Sequence, residues 1–304
     1  MFQSVEDVQQ RFREAQYIAS RRISTVVYLA TRMGRPVLVE GPAGVGKTEL
    51  AKTLADVTRA RLIRLQCYEG LDEGKALYEW KYAKQLLYTQ LLRERIGELI
   101  QDAPSLPDAV ARIAGQDDAF FSHRFLSPRP LLQAIESDDR VVLLIDEIDK
   151  AEPEFEAFLL EVLSDFQVSV PELGTIQAKH IPLVVLTSKN ARELSDGLKR
   201  RCLHLFIDFP APAEELAIIR LKVPEVSERL ATAVVSAVQR IRTMELRKPP
   251  SVSESLDWAR SLVILNADRL DAELVESTLT ILVKYEKDLE RVRGSLDKVL
   301  ADLR

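Results

Sequence analysis

Short apolar runs alternate with amphipathic stretches over the first two thirds of this 304-residue chain. The runs are rich in Val, Ile, Leu and Phe, as expected of strands that are buried on both faces of a parallel sheet. Helical spacing of apolar positions fills most of the intervals between them. Strands that alternate with helices predict an α/β fold built on a parallel sheet with right-handed crossovers. The predicted strands cover 36–40, 61–67, 140–149, 181–188 and 201–209.

Apolar positions that recur every three or four residues predict the helices of this region. The segment "PELGT" at 171–175 predicts a β-hairpin, because Pro and Gly favour tight turns. The predicted helices cover 5–33, 47–60, 71–114 and 152–166, and the third is interrupted at Gly74, Pro104 and Pro107.

The pattern changes after "PAPAEE" at 210–215. No later run predicts a strand, and several amphipathic helical stretches follow. We therefore predict two domains. The first is an α/β domain over 1–210, with an N-terminal helical segment and a helical insertion, and the second is a smaller all-helical domain over 211–304.

Composition and charge narrow the class of protein. Hydrophobic residues make up 46% of the chain and charged residues 29%, as in ordinary globular proteins. The net charge of −5 argues against a dedicated nucleic-acid-binding protein, which is usually basic. Cys67 and Cys202 lie far apart without metal-ligand spacing, which favours a reducing compartment. There is no apolar leader and no run near the ~20 apolar residues of a membrane span, so we expect a cytoplasmic protein.

The segment "GPAGVGKT" at 41–48 fits the pattern G-x-x-x-x-G-K-[ST], between a predicted strand and a predicted helix. Its glycines let backbone N–H groups converge on phosphate oxygens at a helix N-terminus. The lysine reaches the terminal phosphates and the threonine is a ligand for Mg²⁺, so ATP and Mg²⁺ are the expected cofactors. A purely structural glycine turn would need neither residue. The predicted nucleotide-binding residues are Gly41, Pro42, Ala43, Gly44, Val45, Gly46, Lys47, Thr48 and Glu49.

Two acidic residues follow the apolar run "VVLLI". Asp146 and Glu147 stand at the carboxyl end of a predicted strand, where open α/β sheets bind ligands. Adjacent carboxylates repel each other and are costly to desolvate, and a Mg²⁺ ion shared with Thr48 would compensate Asp146. Glu147 is then placed to activate an attacking water. The alternative is a solvated acidic turn that also contains Asp149.

Two further polar segments bear on phosphate chemistry. In "VVLTSKN", Lys189 or Asn190 ends a predicted strand, close to where a γ-phosphate would lie. In "LSDGLKRRCLHLF", Lys199, Arg200 and Arg201 form a basic triplet. A solvated helix C-terminus explains the triplet simply. An arginine finger serving a neighbouring subunit's nucleotide is the sharper hypothesis.

The order of "GPAGVGKT", "LLIDEID", "LTSKN" and "LKRRC", followed by a helical lid, resembles that of AAA+ ATPases, which have a P-loop NTPase core. The helical insertion before "LLIDEID" is similar to that of the helix-2-insert clade. Segments such as "RLQCYEGLDE", "EFEAFLLEVLSDFQVSVPELGTI" and "LKRRCLHLFIDFP" resemble the MoxR group, and within it the CoxD-like branch. The resemblance covers roughly residues 15–285.

The resemblance implies a homo-oligomeric ring, a hexamer, with nucleotide at the subunit interfaces. It implies ATP hydrolysis by Glu147 and Lys47, γ-phosphate sensing by Asn190, and Arg201 as the finger in trans, with Arg200 as the reserve candidate. It also implies a partner with a von Willebrand A-type domain and a chaperone-like role in metalloenzyme maturation. In the CoxD-like branch, the client would be a molybdenum hydroxylase of the carbon monoxide dehydrogenase type.

The chain departs from the family pattern at two places. Lys189 stands where asparagine is expected directly after "TS", so the sensor position is open between Lys189 and Asn190. No arginine stands where the first turns of a lid helix would carry one, and no lid sensor is assigned. The residues near that place are Arg247, Ser253, Glu254 and Arg260.

The segment "AQYIASRR" at 15–22 is similar to family segments beside the adenine base. Tyr17 and Ile18 are therefore candidate adenine-pocket residues, with ordinary helix packing as the alternative. The leading functional hypothesis is an ATPase that remodels a protein partner through the insertion after residue 70 and the hairpin at 171–175. The alternatives are a DNA-processing AAA+ motor and an ATP-binding switch with little turnover.

Overall fold

The computed structural model describes residues 2–91, 93, 97–98, 101–105, 107–108, 124–170 and 173–301. Its centre is a sheet of five parallel strands, which confirms the predicted α/β fold. These strands are β1 (Val37–Glu40), β2 (Arg61–Gln66), β5 (Val141–Asp146), β8 (Leu183–Ser188) and β9 (Leu203–Phe206). Their order across the sheet is β2-β5-β8-β1-β9, so the loop after β1 and the acidic end of β5 flank β8.

The central strand β5 explains why this sequence forms a buried sheet. All six of its residues are buried. Val142 and Leu144 contribute to the hydrophobic core on one face, and Leu143 and Ile145 contribute to the core on the other face. A strand covered on both faces carries apolar residues at successive positions, as the sequence "VVLLI" does.

Two two-stranded antiparallel ladders accompany the main sheet, and helices surround it. The ladders pair β3 (Tyr78–Trp80) with β4 (Leu126–Pro128), and β6 (Gln167–Val170) with β7 (Gly174–Gln177). The helices up to the end of the sheet are α1 (Val5–Glu14), α2 (Arg21–Met33), α3 (Lys47–Thr58), α4 (Glu73–Leu77), α5 (Tyr82–Leu91), α6 (Pro130–Ile135), a 3₁₀ turn (Ile148–Lys150), α7 (Pro153–Asp165) and α8 (Asp196–Arg201).

The helix predicted over 5–33 is wrong in its middle, because it consists of α1 and α2 with a break between them. Gln16 has a left-handed backbone with φ of 58°. The Ser20 hydroxyl accepts a hydrogen bond from the N–H of Ile23 and caps α2. These are local signals for a helix start that apolar spacing alone does not register.

The interrupted helical stretch predicted over 71–114 is confirmed by α4 and α5 and is wrong at 78–80. Trp80 is buried in strand β3, which pairs with β4, because aromatic residues at 78–80 pack well on a strand surface. Much of 92–114 lies outside the described residues. The predicted hairpin is confirmed by the antiparallel pairing of β6 and β7, although residues 171–172 of its turn lie outside the described part.

Helices alone make up the described chain from residue 212 to residue 299, apart from their connections. They pack around a hydrophobic core of their own, which includes the fully buried Trp258, and the indole N–H of Trp258 donates to Thr278. They are α9 (Pro212–Lys222), α10 (Glu228–Arg242), α11 (Val252–Ile264), α12 (Ala272–Leu282), α13 (Glu286–Arg293) and α14 (Leu296–Val299). The domain boundary near residue 211 stays a prediction.

One buried ion pair connects three of these C-terminal helices. Arg242 of α10 binds both carboxylate oxygens of Glu215 from α9, at 2.6 and 2.7 Å. Ser255 of α11 and Gln239 of α10 donate hydrogen bonds to the same carboxylate. The charges are therefore paired and hydrogen-bonded inside the helical region. None of the helices that the structure describes has the length and apolar character to cross a bilayer.

Candidate nucleotide site

The loop at 41–48 connects β1 to α3, and at two of its three positive-φ glycines a side chain would collide with a neighbouring segment. Gly41 has φ of 148°, and a Cβ there would lie 1.9 Å from the carbonyl oxygen of Ile207. Gly44 has φ of 72°, and a Cβ there would lie 2.1 Å from the Ser251 hydroxyl. The glycines therefore allow close approach of β9's continuation and of α11's N-terminus to the loop.

Lys47 begins α3 and is buried beneath the loop. Its ammonium donates hydrogen bonds to the carbonyl oxygens of Gly41 and Pro42, both at 2.6 Å. Burial lowers the pKa of Lys47, and the ammonium of Lys189 lowers it further, against the opposing effect of nearby carboxylates. Lys189 lines the same cavity beside the loop as Lys47 does.

Asp146 lies buried where β5 ends and accepts hydrogen bonds from three directions. The hydroxyls of Thr48 and Thr187 donate to its Oδ1, Thr48 at 3.1 Å. The Arg64 guanidinium, on neighbouring strand β2, lies 2.5 Å from its Oδ2. The parallel register places the ends of β2, β5 and β8 side by side, which brings these residues together.

The donor set at Asp146 fits a magnesium ion bound with a nucleotide. A hydroxyl oxygen from Thr48 and a carboxylate oxygen from Asp146 are hard ligands of the kind Mg²⁺ prefers, and phosphates and water normally supply the rest. Arg64 already holds a positive charge against the same carboxylate. Among the described residues there is no cluster of three or more His, Cys, Asp or Glu side chains for a metal bound by protein alone.

Glu147 adopts a left-handed backbone with φ of 58° directly after β5. Its N–H donates to the Thr187 hydroxyl at 2.9 Å, which fixes this turn against β8. Its carboxylate pairs with the ammonium groups of Lys189 and Lys150, the former at 2.5 Å. Burial alone would raise the pKa of Glu147, but hydrogen bonds from these two lysines outweigh it, and the pKa lies below its ordinary value.

The end of β8 distinguishes the two candidate sensor residues. The Lys189 side chain lines the cavity beside the phosphate loop. Asn190 has a left-handed backbone with φ of 60°, and its N–H donates to the Ser188 hydroxyl. Its side chain is exposed and is absent from the cavity lining. The structure therefore brings Lys189, rather than Asn190, beside Glu147 and Lys47, and a sensor role for Asn190 stays a prediction.

Two cavities meet at the phosphate loop. The first, of about 330 Å³, is lined by Ala43, Gly44, Gly46, Lys47, Thr48, Glu49, Asp146, Glu147, Thr187, Lys189 and Ser253. The second, of about 600 Å³, lies between the 16–23 segment, the end of β9 and helices α9 and α11. Gly44, Gly46, Glu49 and Ser253 line both cavities, so the two adjoin.

The larger cavity contains both candidate adenine residues. Tyr17 and Ile18 line it together with Val45, Phe209 and Leu256. The Tyr17 ring also packs edge-on against Phe12, so helix packing and a cavity role coincide at this residue. The cavity is large enough and apolar enough for a planar base next to a phosphate loop.

Several residues of the two cavities and of the Asp146 cluster had no signal in the sequence that assigned them a role. Arg64 and Thr187 lie inside strand patterns and look there like ordinary exposed and buried strand residues.

Arg260 of α11 lines the larger cavity and lies 3.3 Å from Asp257. Arg247 stacks over the Tyr285 ring instead, with 4.3 Å between the guanidinium and the ring centre.

Comparison with known proteins agrees with this geometry. Residues 13–174, more than half of the chain, match the family described as AAA ATPase domain. The chain belongs to this family. Its sheet order, phosphate loop and acidic β5 end are thus those of a P-loop AAA+ fold.

Individual relatives of this AAA ATPase domain protein are distant. Chaperone protein ClpB of Bacillus cereus is 27% identical over 159 residues, which cover 52% of this chain and 14% of ClpB. The ATP-binding subunit ClpE of the Clp protease of Bacillus subtilis is 26% identical over 165 residues, 52% of this chain and 18% of ClpE. The chain thus spans less than a fifth of either relative.

A solved structure shows the same fold. A mutant of RuvB from Thermotoga maritima superposes with a TM-score of 0.51 at 19% identity, covering 99% of this chain and 78% of that one. At this identity the likeness concerns the fold alone.

The basic triplet of the AAA ATPase lies away from its own phosphate loop. Arg201 ends α8, and its Nε donates to the Ser164 hydroxyl at 2.7 Å. The Arg35 side chain donates to the carbonyl oxygens of Arg200 and Arg201. Both arginine side chains are exposed, and neither lines the two cavities. A role for either at this chain's own nucleotide finds no support in the geometry.

A pair of buried carboxylates fixes the loop between β8 and α8. Asp149 accepts hydrogen bonds from the N–H groups of Lys189 and Ala191, at 3.1 and 3.0 Å. Glu156 of α7 accepts one from the N–H of Ser195, the residue that caps α8. The backbone from the end of β8 to the start of α8 is therefore held by the segment that follows β5.

Proposed function

We propose that this protein is a Mg-ATP-hydrolysing AAA+ ATPase that remodels a protein partner. The observation that carries the proposal is the convergence of Lys47, Thr48, Asp146 and Glu147 on one cavity that adjoins a larger apolar one. Similarity to chaperone proteins over half of the chain favours remodelling of protein over other uses of ATP.

Each residue has a distinct task in this proposal. The loop N–H groups and Lys47 bind the β- and γ-phosphates, while Thr48 and Asp146 hold Mg²⁺. When bound, Mg²⁺ neutralises charge on the phosphate oxygens. Glu147 accepts the proton of the attacking water, for which its ionised state is required.

The site is incomplete in a single chain, because no described arginine of this chain's basic triplet reaches it. We propose that Arg201 completes the site of a neighbouring subunit in a homo-oligomeric ring, a hexamer. The support is its exposed position at the end of α8, a helix whose start is held by Glu156. A fixed guanidinium there would stabilise charge on the transferred phosphoryl group.

The test is steady-state ATP hydrolysis against protein concentration, for the parent and for Arg201→Ala. We expect specific activity to rise with concentration, and kcat to fall roughly 10³-fold or more in the variant while ATP binding persists. Arg200→Ala is the matched control, with a much smaller loss. Activity that is independent of concentration and of Arg201 would contradict the finger, and no turnover at all would favour an ATP-binding switch.

The finer assignment is a MoxR-type ATPase of the CoxD-like branch, in which a partner with a von Willebrand A-type domain and a metalloenzyme client take part. Its support is the resemblance of the sequence segments around β2, α7 and α8. The test compares metal content and activity of a molybdenum hydroxylase produced with and without this protein. An unchanged client would contradict the assignment, and ATPase activity stimulated by DNA would favour a DNA-processing motor.

A further inference from the structure

The wall of the larger cavity contains a carboxylate that lacks a partner. Glu214 of α9 lines this cavity and is half-buried. Among the residues that the structure describes, none donates a hydrogen bond to its side chain or forms an ion pair with it. Burial raises the pKa of this carboxyl. A carboxylate that is withdrawn from water without gaining a donor in exchange favours a ligand that supplies one.

The other two acidic side chains of the cavity wall differ from Glu214. Glu49 pairs with the ammonium groups of Lys52 and Lys222, at 3.4 and 3.8 Å. Asp208 is exposed, and its Oδ1 accepts a hydrogen bond from the N–H of Phe209 at 2.8 Å. Both therefore have donors or water, whereas the Glu214 carboxylate is left for a group that enters the cavity.

The fold holds Glu214 at the cavity through its neighbour in sequence. Glu215 is buried and bound by Arg242 at 2.6 and 2.7 Å, which fixes the first turn of α9 inside the helical region. Successive residues of a helix point about 100° apart, so Glu214 faces away from that ion pair. Its charge raises the pKa of Tyr17, after the larger effect of burial. Glu214 therefore lies close to a candidate adenine residue.

We infer that Glu214 is a specificity-determining residue that accepts a hydrogen bond from the 6-amino group of adenine. The inference rests on the proposed ATPase and deepens it. The larger cavity adjoins the phosphate-loop cavity, so a nucleotide whose phosphates lie on the loop places its base there. Adenine carries an N–H donor at position 6, whereas guanine carries an oxygen acceptor. In the same orientation, guanine would set that oxygen against the carboxylate with no proton between them.

Binding of diphosphates tests the inference without relying on turnover. The affinities of the Mg²⁺ complexes of ADP, GDP, purine riboside diphosphate and pyrophosphate are measured for the parent and for Glu214→Leu. Purine riboside has hydrogen in place of the 6-amino group. We expect the parent to prefer ADP to this analogue about tenfold or more, as for a hydrogen bond to a charged group. In Glu214→Leu the preference should fall below about twofold, while pyrophosphate binds as in the parent.

Two further variants separate a contact with the base from a general effect of charge or packing. Glu214→Gln keeps an acceptor oxygen and adds N–H donors, so it should retain about a threefold preference for ADP over the analogue. Its amide can also donate to the guanine oxygen, so the GDP-to-ADP affinity ratio should rise about tenfold. Asp208→Asn is the matched control at the same cavity, and it should change either ratio less than about twofold.

Several outcomes would overturn the inference. A parent that binds the purine analogue or GDP as tightly as ADP has no donor-specific contact at position 6. An ADP preference that persists in Glu214→Leu, or that falls equally in Asp208→Asn, would assign the selection elsewhere. If Glu214→Leu loses pyrophosphate binding as well, an unchanged GDP-to-ADP ratio in Glu214→Gln would decide against the inference. Failure of the proposed ATPase would show instead as no binding of any diphosphate to the parent.

Discussion

The candidate nucleotide site and the helical region each contain a carboxylate paired with an arginine, and the pairs differ in the exposure of the arginine. In the helical region, Glu215 is fully buried and the side chain of Arg242 is 7% exposed. In the candidate nucleotide site, the Asp146 side chain is 4% exposed, but its partner Arg64 is 50% exposed. The acids are held alike, whereas only one of the cations has water as an alternative partner.

This difference in exposure distinguishes an ion pair that stays closed from one whose cation can exchange its partner. A buried guanidinium has lost its hydration, so it can leave its carboxylate only if the surrounding helices part. A half-exposed guanidinium or ammonium exchanges its carboxylate for water or for a ligand at small cost. The exposure of the cation, more than that of the acid, therefore determines which ion pairs can open and re-form during a catalytic cycle.

The largest effect is expected from a substitution that breaks the buried ion pair between Glu215 and Arg242. Arg242→Ala leaves Glu215 charged and buried, and we expect the free energy of unfolding to fall by about 3–5 kcal/mol in chemical denaturation. Replacing both residues, as Glu215→Leu with Arg242→Met, should recover most of the loss, since no charge is then stranded. A loss below about 1 kcal/mol in the single variant would show that water reaches this pair after all.

A smaller effect is expected from the exchangeable pair. Arg64→Ala should lower the free energy of unfolding by about 1 kcal/mol, because Asp146 keeps its hydrogen bonds from Thr48 and Thr187. The deficit relative to the parent should shrink under saturating Mg²⁺ and ADP, since the metal replaces the lost cation. A deficit that nucleotide leaves unchanged would mean that Arg64 does not share Asp146 with the metal.

The smallest effect concerns pH. The pKa of Glu147 lies below its ordinary value of 4.5, so its contribution to stability is complete above that value and is lost as pH falls through the folded-state pKa. The stability difference between the parent and Glu147→Gln should therefore narrow as pH falls below 4.5, by under ~1 kcal/mol because both lysines are exposed. A difference that widens on acidification would contradict the ion pairs at Glu147.

Sequence patterns predicted the parts of this molecule that depend on burial and on local chemistry. The five strands follow from apolar runs, and the phosphate loop follows from a motif whose glycines meet a backbone requirement at Gly41 and Gly44. The sequence identified Asp146 and Glu147 because two adjacent acidic residues at the end of a buried strand stand out from the apolar run before them. The break between α1 and α2 and the β3–β4 ladder depend on capping and on a partner strand distant in sequence, which periodicity does not register.

Side-chain contacts between neighbouring strands are the second kind of feature that the sequence did not predict. Arg64 reaches Asp146 only because β2 and β5 are neighbours in register, and Thr187 reaches it from β8 on the other side. No single sequence segment specifies the order of the strands, so the contacts of Arg64 and Thr187 with Asp146 could not be predicted locally. Lys189 was noticed as a departure from a family pattern, and only the structure placed its ammonium on Glu147.

The hydrogen bonds of Lys47 have a consequence for affinity. The loop is wrapped around its own ammonium, which the carbonyl oxygens of Gly41 and Pro42 hold in place. The Lys47 side chain occupies the inside of the loop and keeps the loop backbone close to the conformation that binds a phosphate. An arriving nucleotide then meets a preorganised cradle, and less of its binding free energy is consumed in ordering the loop.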